Sequence, residues 1–287
     1  MSLEIRQVGV IGAGTMGNGI AQVFAGAGYP VTMRDVKPQF LERGMATITK
    51  SLDRLASRGK LTIEDRDATL ARIQPTTDIG ELAACNIVVE AILEDYDLKA
   101  GVIHEVDKIC GPDTIFATNT SSISVTQIAA ASNHPGRVVG MHFFNPVPMM
   151  QLVEVVRALQ TTDTVCDTVV SLVNSLGKKA RVSKDSYGFV VNRVLIPMIN
   201  EAINCVHEGL ASPDDIDVMM KLGANHPMGP LSLADLIGLD VVLDIMETLY
   251  QGFDDPKFRP SPLLKQMCHA GYLGRKAGRG FFTYAAA

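Results

Sequence analysis

Short apolar runs alternate with longer stretches of helical periodicity through the first half of the chain. The runs are rich in β-branched residues and predict strands at residues 7–11, 31–35, 87–91, 114–118 and 138–142. Helices are predicted at residues 16–27, 39–57 and 98–109, each with a glycine or proline at its boundary. This alternation is typical of a doubly wound parallel sheet, in which helices cross over between strands. We therefore expect an α/β domain over residues 1–184.

The pattern changes after residue 182, where strand-like runs largely cease. Apolar residues then recur at helical spacing, which predicts helices at residues 189–208, 213–222, 232–250 and 262–270. We expect the first of these to start at Gly188, and Pro197 could kink it. A second, all-helical domain is thus predicted over residues 185–287, in keeping with a chain of 287 residues, which is long for one core.

A glycine-rich hexapeptide, Gly12-Ala13-Gly14-Thr15-Met16-Gly17, separates the first predicted strand from the first predicted helix. In a Rossmann-like domain the first glycine permits a tight turn, the second lets the backbone approach a pyrophosphate, and the third lets the helix pack on the strand. The phosphates then lie against the free N–H groups of the helix N-terminus. These residues predict a dinucleotide site, although a glycine-rich turn without a ligand is the alternative.

The residue that ends the second predicted strand indicates which dinucleotide binds. Asp35 could accept hydrogen bonds from the adenosine ribose hydroxyls and would repel a 2′-phosphate, which favours NAD over NADP. The neighbouring Arg34 could instead turn toward a 2′-phosphate. NAD is the cofactor that we expect.

Bulk composition narrows the class of protein. Apolar residues make up 47% and charged residues 20%, and no run approaches the roughly 18 apolar residues of a membrane span. The first residues lack the basic and apolar regions of a secretory signal, so a cytoplasmic location is expected. A net charge of −5 with mixed signs argues against nucleic acid as the main partner. The five cysteines lack metal-site spacing, which argues against a metal, and their odd number favours reduced thiols over a disulfide framework.

Candidate catalytic residues follow the last two predicted strands, because ligands of such sheets bind beyond the carboxyl ends of the strands. Ser121 follows one strand, and His142 ends the next. His142 could take a hydroxyl proton near neutral pH, and Glu154, in an apolar run, is its expected partner because a buried carboxylate needs one. Each also has a structural interpretation: a strand-end histidine, an outward-facing glutamate, and a helix-capping or turn serine.

Several motifs taken together resemble the 3-hydroxyacyl-CoA dehydrogenase family over essentially the whole chain. They are the hexapeptide at 12–17, Asn-Thr-Ser-Ser at 119–122, His-Phe-Phe-Asn-Pro-Val-Pro at 142–148, Gly-Phe-Val-Val-Asn-Arg at 188–193 and Gly-Tyr-Leu-Gly-Arg-Lys at 271–276. The resemblance implies oxidation of a 3-hydroxyacyl-CoA, most simply the short-chain 3-hydroxybutyryl-CoA, with NAD. It also implies an active site in the cleft between the two domains.

The resemblance assigns roles residue by residue. It makes His142 the catalytic base, Glu154 its partner, and Ser121 and Asn192 polar contacts that position the substrate oxygen and the histidine. For NAD it implies the following set: Gly12, Gly14, Thr15, Met16, Gly17, Asp35, Glu94, Lys99, Ser121, Asn145 and Lys276. For CoA it implies Ser51 and Arg58, with Arg54 and Lys60 adding positive charge. Without the resemblance, Glu94, Lys99, Lys276 and Arg58 would pass for solvated charges, and Asn192 for a residue on a helix face.

Two positions depart from the family pattern. Tyr187 stands where the family usually has proline, so the turn into the helical domain is expected to be looser or differently shaped, and Arg58 stands where many relatives have lysine. Family analogy further implies a homodimer through the helical domain, whose apolar stripes at residues 190–203 and 231–249 are alternatively its own core.

Three other functions compete with this interpretation. A related dehydrogenase of a free hydroxy acid would not depend on Arg58, whereas an acyl-CoA enzyme would. A non-catalytic NAD-binding protein would have no need of the proton-transfer residues Ser121, His142, Glu154 and Asn192. A hydrolase is the weakest alternative, because Ser121 lies outside any Gly-x-Ser-x-Gly motif.

Overall fold

The computed structural model describes residues 3–284. The start of the chain, on which the expectation about a secretory signal depends, includes Met1 and Ser2, which lie outside the described residues. The chain forms two compact units that meet in sequence between Ser186 and Tyr187. Within residues 3–284, no helix is both long and apolar enough to cross a membrane.

The first unit is built on one sheet, which contains eight strands among the described residues. They are β1 (Val8–Ile11), β2 (Val31–Arg34), β3 (Ile73–Thr76), β4 (Ile87–Glu90), β5 (Ile115–Thr118), β6 (Val138–Phe143), β7 (Leu152–Arg157) and β8 (Lys179–Lys184). The spatial order is β3-β2-β1-β4-β5-β6-β7-β8. Pairing is parallel from β3 to β6, antiparallel between β6 and β7, and parallel between β7 and β8. The carboxyl ends of β1, β4, β5 and β6 therefore share one edge of the sheet with the start of β7.

The helices of this unit mostly begin at residues whose side chains cap them. They are α1 (Thr15–Gly26), α2 (Pro38–Ser57), α3 (Ile63–Ala71), α4 (Tyr96–Ile109), α5 (Val125–Ala130) and α6 (Asp163–Ser175). Asp95, Ser124 and Thr162 accept hydrogen bonds from the first turns of α4, α5 and α6. The central strands are buried on both faces, with all four residues of β1, β4 and β5 buried.

The α/β fold is confirmed, and so are the five predicted strands. Three strands are additional to that prediction. The edge strand β3 has exposed Gln74 and Pro75 at its centre, and β8 buries only Ala180, so neither has an apolar pattern. β7, which carries Glu154, is a continuous apolar run broken by that one carboxylate.

The second unit is helical, with α7 (Val191–His207), α8 (Pro213–Gly223), α9 (Pro230–Ile237), α10 (Leu239–Phe253) and α11 (Pro262–His269). The predicted start of the first helix at Gly188 is wrong, because Gly188 and Phe189 have φ of +70° and +48° and cannot belong to a right-handed helix. The prediction of one helix over residues 232–250 is also wrong. Gly238 has φ of +106° and divides that stretch into α9 and α10. Pro197 lies inside α7, which continues to His207.

Candidate active site

The glycine-rich loop between β1 and α1 has room for a ligand at one position and none at the other two. A Cβ atom on Gly12 would lie 2.5 Å from the carbonyl oxygen of Ala91, and one on Gly17 would lie 1.8 Å from that of Gly12. A Cβ atom on Gly14 would meet no described atom within 4 Å. The loop therefore packs tightly on β4 and on α1 while its middle glycine faces open space.

The N-terminus of α1 lies at this open space. Gly14 is the N-cap residue and provides no side-chain cap, and the first turn contains no acidic residue. Thr15 is exposed and Met16 is half-buried. Backbone N–H groups and the positive end of the helix dipole are thus available to an anion, which is what a pyrophosphate requires.

Asp35 connects the end of β2 to this loop. One carboxylate oxygen, Oδ2, accepts a 2.7 Å hydrogen bond from the N–H of Ala13, and Oδ1 accepts one of 2.7 Å from the N–H of Val36. Each carboxylate oxygen can accept a second hydrogen bond. The half-buried Asp35 is thereby fixed at the position where the sequence predicts contact with the adenosine ribose.

Glu94 holds the loop at residues 119–122 that follows β5. Its Oε1 accepts hydrogen bonds from Thr120 Oγ1 at 2.6 Å, from the N–H of Ser121 at 2.8 Å, and from the N–H and hydroxyl of Ser122, each at 2.9 Å. Burial raises the pKa of Glu94, but Lys99 and these hydrogen bonds lower it, and the net effect is a lowered pKa. Glu94, whose side chain is 34% exposed, is accordingly a carboxylate bound both to the loop and to Lys99.

Lys99 is fully buried, which the sequence did not indicate. Its ammonium group lies 2.8 Å from Oε1 and 3.0 Å from Oε2 of Glu90, which is also 0% exposed, and 3.4 Å from Oε2 of Glu94. Glu90 also accepts a 2.7 Å hydrogen bond from Thr118 Oγ1. Sequence reasoning missed Glu90 and Thr118. The signal for Glu90 was present, because a carboxylate at the end of the apolar run 87–90 needs a partner just as Glu154 does.

His142 and Glu154 form a buried pair across the antiparallel strands β6 and β7. The two residues are directly opposite each other in the register of these strands. His142 Nδ1 and Glu154 Oε2 are 2.8 Å apart, and the residues are 6% and 3% exposed. Because the carboxylate can only accept, the hydrogen lies on Nδ1 in the neutral imidazole, and the Nε2 lone pair is the basic site.

The segment between β6 and β7 is fixed from two sides. The N–H of Phe143 donates a 2.9 Å hydrogen bond to Asn119 Oδ1, which connects this segment to the loop after β5. The buried Lys178 donates to the carbonyl oxygens of Val147 and Met150, at 2.7 and 2.6 Å. Asn145, predicted to contact NAD, is exposed in this segment and precedes a cis proline.

The residues expected to bind CoA lie along α2. Ser51 is half-buried, whereas Arg54, Arg58 and Lys60 are exposed, with Arg58 at the C-cap. Among the described residues, no carboxylate forms an ion pair with Arg54, Arg58 or Lys60. This end of α2 is therefore a positively charged surface.

Two predicted site residues belong to the helical unit. Asn192 is 8% exposed in the first turn of α7. Lys276 donates a 2.6 Å hydrogen bond to Asp240 at the start of α10.

Tyr187, at the departure from the family pattern, makes a T-shaped contact with Phe253 at a centroid distance of 5.4 Å. Its ring also covers Gly252, where an added Cβ would lie 2.4 Å from it, so the turn into α7 is packed on α10 and is not loose.

These features fit the chemistry of a nicotinamide dinucleotide. The open space at Gly14 and the uncapped helix suit a pyrophosphate, and Asp35 suits a ribose. The His142–Glu154 pair lies at the same edge of the sheet, where it could exchange a proton with a hydroxyl group. Among residues 3–284, no group of three or more histidine, cysteine or carboxylate side chains is arranged to hold a metal.

Comparison with known proteins agrees with this chemistry. The family profile for the 3-hydroxyacyl-CoA dehydrogenase NAD-binding domain matches residues 7–186, and that for the C-terminal domain of the same family matches residues 188–284. The chain is 53% identical over 276 residues to a "Probable 3-hydroxybutyryl-CoA dehydrogenase" of Deinococcus radiodurans, covering 96% of this chain and 99% of the relative. It is 48% identical over 287 residues to the 3-hydroxybutyryl-CoA dehydrogenase of Bradyrhizobium diazoefficiens, covering 100% and 98% of the two chains.

A solved structure agrees as well. The crystal structure of (S)-3-hydroxybutyryl-CoA dehydrogenase from Ralstonia eutropha superposes with a TM-score of 0.96 at 53% identity, covering 99% of this chain and 100% of that one. The two matched profiles together span both units, and the relatives are matched over nearly their full length. The chain belongs to the 3-hydroxyacyl-CoA dehydrogenase family.

Proposed function

We propose that the protein interconverts (3S)-3-hydroxybutyryl-CoA and acetoacetyl-CoA with NAD as cofactor. The observation that carries the proposal is the buried His142–Glu154 pair, which lies at the same sheet edge as the glycine-rich loop. The relatives named 3-hydroxybutyryl-CoA dehydrogenase support the four-carbon acyl group.

His142 is the general base for oxidation. The substrate 3-hydroxyl loses its proton to Nε2 as the C3–H bond breaks and the C3 carbonyl forms. Bound NAD would supply the hydride acceptor, because its nicotinamide ring can take the hydride that leaves C3. In the reverse direction the imidazolium returns the proton to the oxygen.

Glu154 makes His142 suited to this role. Its carboxylate accepts from Nδ1, which holds the ring in one tautomer and one orientation. When the ring gains a proton, the negative charge 2.8 Å from Nδ1 stabilises the imidazolium in a site with little access to water. Ser121, whose N–H is fixed by Glu94, presents its hydroxyl to the substrate oxygen in this proposal, and Asn192 adds a further polar contact.

The remaining predicted contacts belong to the cofactor and to the nucleotide part of CoA. Gly12, Gly14, Thr15, Met16 and Gly17 would hold the pyrophosphate, and Asp35 the ribose. Glu94, Asn145 and Lys276 are proposed around the rest of NAD, with the buried Lys99 acting through Glu94. Ser51 and Arg58 on α2 are proposed to bind the CoA nucleotide. The exposed positive charge at the end of α2 supports that last role.

The domain roles and the assembly are also proposals. We assign NAD binding to residues 1–184, and the substrate cleft and dimerisation to residues 185–287. A homodimer through the helical unit is supported by exposed apolar side chains there, such as Val194 at 68%, Leu210 at 74% and Leu222 at 82%. A cytoplasmic location is proposed from the bacterial relatives.

Steady-state kinetics of the purified protein test the proposal. We expect turnover of acetoacetyl-CoA with NADH, with kcat/KM highest for the four-carbon substrate and higher for NADH than for NADPH. Arg58→Ala should raise the KM for acetoacetyl-CoA and leave the KM for NADH unchanged. Absence of turnover with acyl-CoA, together with turnover of a free 3-oxo acid, would contradict the proposal.

A further inference from the structure

A fully buried ion pair lies beside the proposed active site, at the carboxyl ends of β4 and β5. Glu90 and Lys99 are both 0% exposed. Removing two charges from water is costly, and a buried pair is often no more stable than apolar residues of the same volume. Stability alone therefore gives no reason for this pair, and its position at the ligand-binding edge of the sheet suggests a role in the site.

The ammonium group of Lys99 lies among carboxylate oxygens, and the residue is 0% exposed. An ammonium group has three N–H bonds, and three carboxylate oxygens lie within 3.4 Å of Lys99 Nζ: both oxygens of Glu90 and Oε2 of Glu94. The resemblance implies that Lys99 contacts NAD directly. Its geometry instead gives it an indirect role through the two glutamates.

Glu90 connects four parts of the backbone at this point. It ends β4, and it accepts hydrogen bonds from the N–H of Ile92 at 2.7 Å, from Lys99 in α4, and from Thr118 Oγ1 at the end of β5 at 2.7 Å. Thr118 directly precedes the loop at residues 119–122, and the backbone oxygen of Glu90 accepts a 2.8 Å hydrogen bond from the N–H of Asn119. Glu90 thereby fixes where Lys99 places its charge.

Glu94 transmits this arrangement to Ser121. Its Oε2 faces Lys99, and its Oε1 accepts from the N–H of Ser121 at 2.8 Å. Without Glu90, the positive charge of Lys99 would be balanced by Glu94 alone. The carboxylate of Glu94 would then be drawn toward Lys99 and away from the loop.

We propose that Glu90 is a positioning residue, which acts through Lys99 and Glu94 to hold the loop of Ser121 in its reactive place. This inference rests on the proposed function, in which Ser121 contacts the substrate oxygen. Glu90 itself touches neither substrate nor cofactor in this account.

A double-mutant cycle tests the proposal by activity. Glu90→Gln should lower kcat for acetoacetyl-CoA by about 10- to 100-fold, because a small misplacement of a contact group has effects of this size. Ser121→Ala removes only the hydroxyl group and keeps the N–H bond to Glu94. If Glu90 acts through Ser121, the double variant should lie within about threefold of Ser121→Ala alone. Multiplying effects would overturn the proposal.

Amide hydrogen exchange tests it without activity. In Glu90→Gln, the amides of residues 119–123 should exchange about tenfold faster, while those of β1 and α6 stay unchanged. Unchanged protection of this segment would overturn the proposal, and so would a uniform loss of protection across the unit. An inactive wild-type protein would contradict the proposed function, yet the exchange measurement would still decide the role of Glu90.

A matched pair of threonines keeps the test valid if Glu90→Gln fails to fold. Thr118→Val removes one hydrogen bond to Glu90 at the end of β5. Thr114, which directly precedes β5, donates a 3.0 Å hydrogen bond to the carbonyl oxygen of Cys85, and Thr114→Val removes it. Both threonines are buried. Only Thr118→Val should lower kcat and speed exchange at residues 119–123, and equal effects of the two substitutions would overturn the proposal.

Discussion

Glu154 lies directly opposite His142 on the neighbouring antiparallel strand, with Oε2 of the carboxylate 2.8 Å from Nδ1 of the imidazole. Side chains at directly opposite positions point to the same face of a sheet. The strand register therefore fixes the pair, and neither side chain depends on a flexible loop to find the other. This gives the proposed base one tautomer and one orientation before substrate binds.

Replacing the Glu154 carboxylate should slow catalysis without weakening the binding of NADH. We expect Glu154→Gln to lower kcat by about 10- to 100-fold, because it removes a charge-assisted hydrogen bond from the imidazole. The Kd for NADH, measured by fluorescence, should not change. The exposed Glu64 in α3 provides the control, since Glu64→Gln should leave both quantities unchanged. A Glu154→Gln variant with wild-type kcat would show that the pair is structural.

The middle glycine of the loop gives a prediction about NAD alone. The backbone of Gly14, with φ of −66° and ψ of −167°, is open to alanine, and a Cβ there meets no described atom within 4 Å. Gly14→Ala should therefore leave Tm unchanged but weaken NADH binding at least about tenfold, because the methyl group enters the space of the pyrophosphate. Gly26→Ala, at the other end of α1 and equally uncrowded, should change neither the Kd for NADH nor the fold. Unchanged affinity in Gly14→Ala would place the cofactor elsewhere.

The lowered pKa of Glu94 leads us to expect that the stability of the folded protein depends on pH. Its pKa is lowered in the folded protein from an ordinary value of 4.5. Between the folded and the ordinary pKa the unfolded chain binds more protons, so folded-state stability rises with pH in that window. The contribution of Glu94 is complete above about pH 4.5 and is lost as the pH falls through the folded pKa.

Urea unfolding at several pH values measures this contribution. Glu94→Gln cannot titrate, so its midpoint should fall less steeply than that of the wild type between about pH 5 and 3. Glu64→Gln, at an exposed position, is the comparison. Parallel curves for Glu94→Gln and the wild type would rule out a strongly bound Glu94 carboxylate.

The proposed homodimer is tested by its exposed apolar residues. Leu222→Glu in α8 should convert the dimer to a monomer in sedimentation velocity, because a charge would be buried at the interface. Leu159, which is 90% exposed in the α/β unit, supplies the control, and Leu159→Glu should remain a dimer. A monomeric wild-type protein would contradict the proposal directly.

Much of the α/β fold was predictable because its central strands are buried on both faces and read as apolar runs. The edge strands β3 and β8 were not, since Pro75 and the exposed polar residues of β8 give no such pattern. The break at Gly238 was also hidden. An isolated glycine is tolerated within a helical pattern, and only its φ of +106° shows that α9 ends there.

Residues of the candidate site could be predicted from the sequence where a residue type in its local pattern has a single common chemical role. The glycine spacing indicated the loop, and the isolated carboxylate in β7 indicated a partner for His142. Lys99 shows the opposite case. Lys99 lies near the start of a helix, where its charge was expected to be solvated. Only the fold shows that Lys99 is buried and pairs with Glu90, nine positions earlier. Contacts between elements of this kind depend on strand order, which local patterns do not specify.

Turnover of acetoacetyl-CoA by His142→Ala decides whether His142 is the catalytic base. The variant should lose about 10²- to 10⁴-fold in kcat, the usual contribution of a general acid or base, while the Kd for NADH stays within about threefold of the wild type. His104→Ala, at an exposed position in α4, should retain full activity. Near wild-type kcat in His142→Ala would contradict the assignment of His142 as the catalytic base.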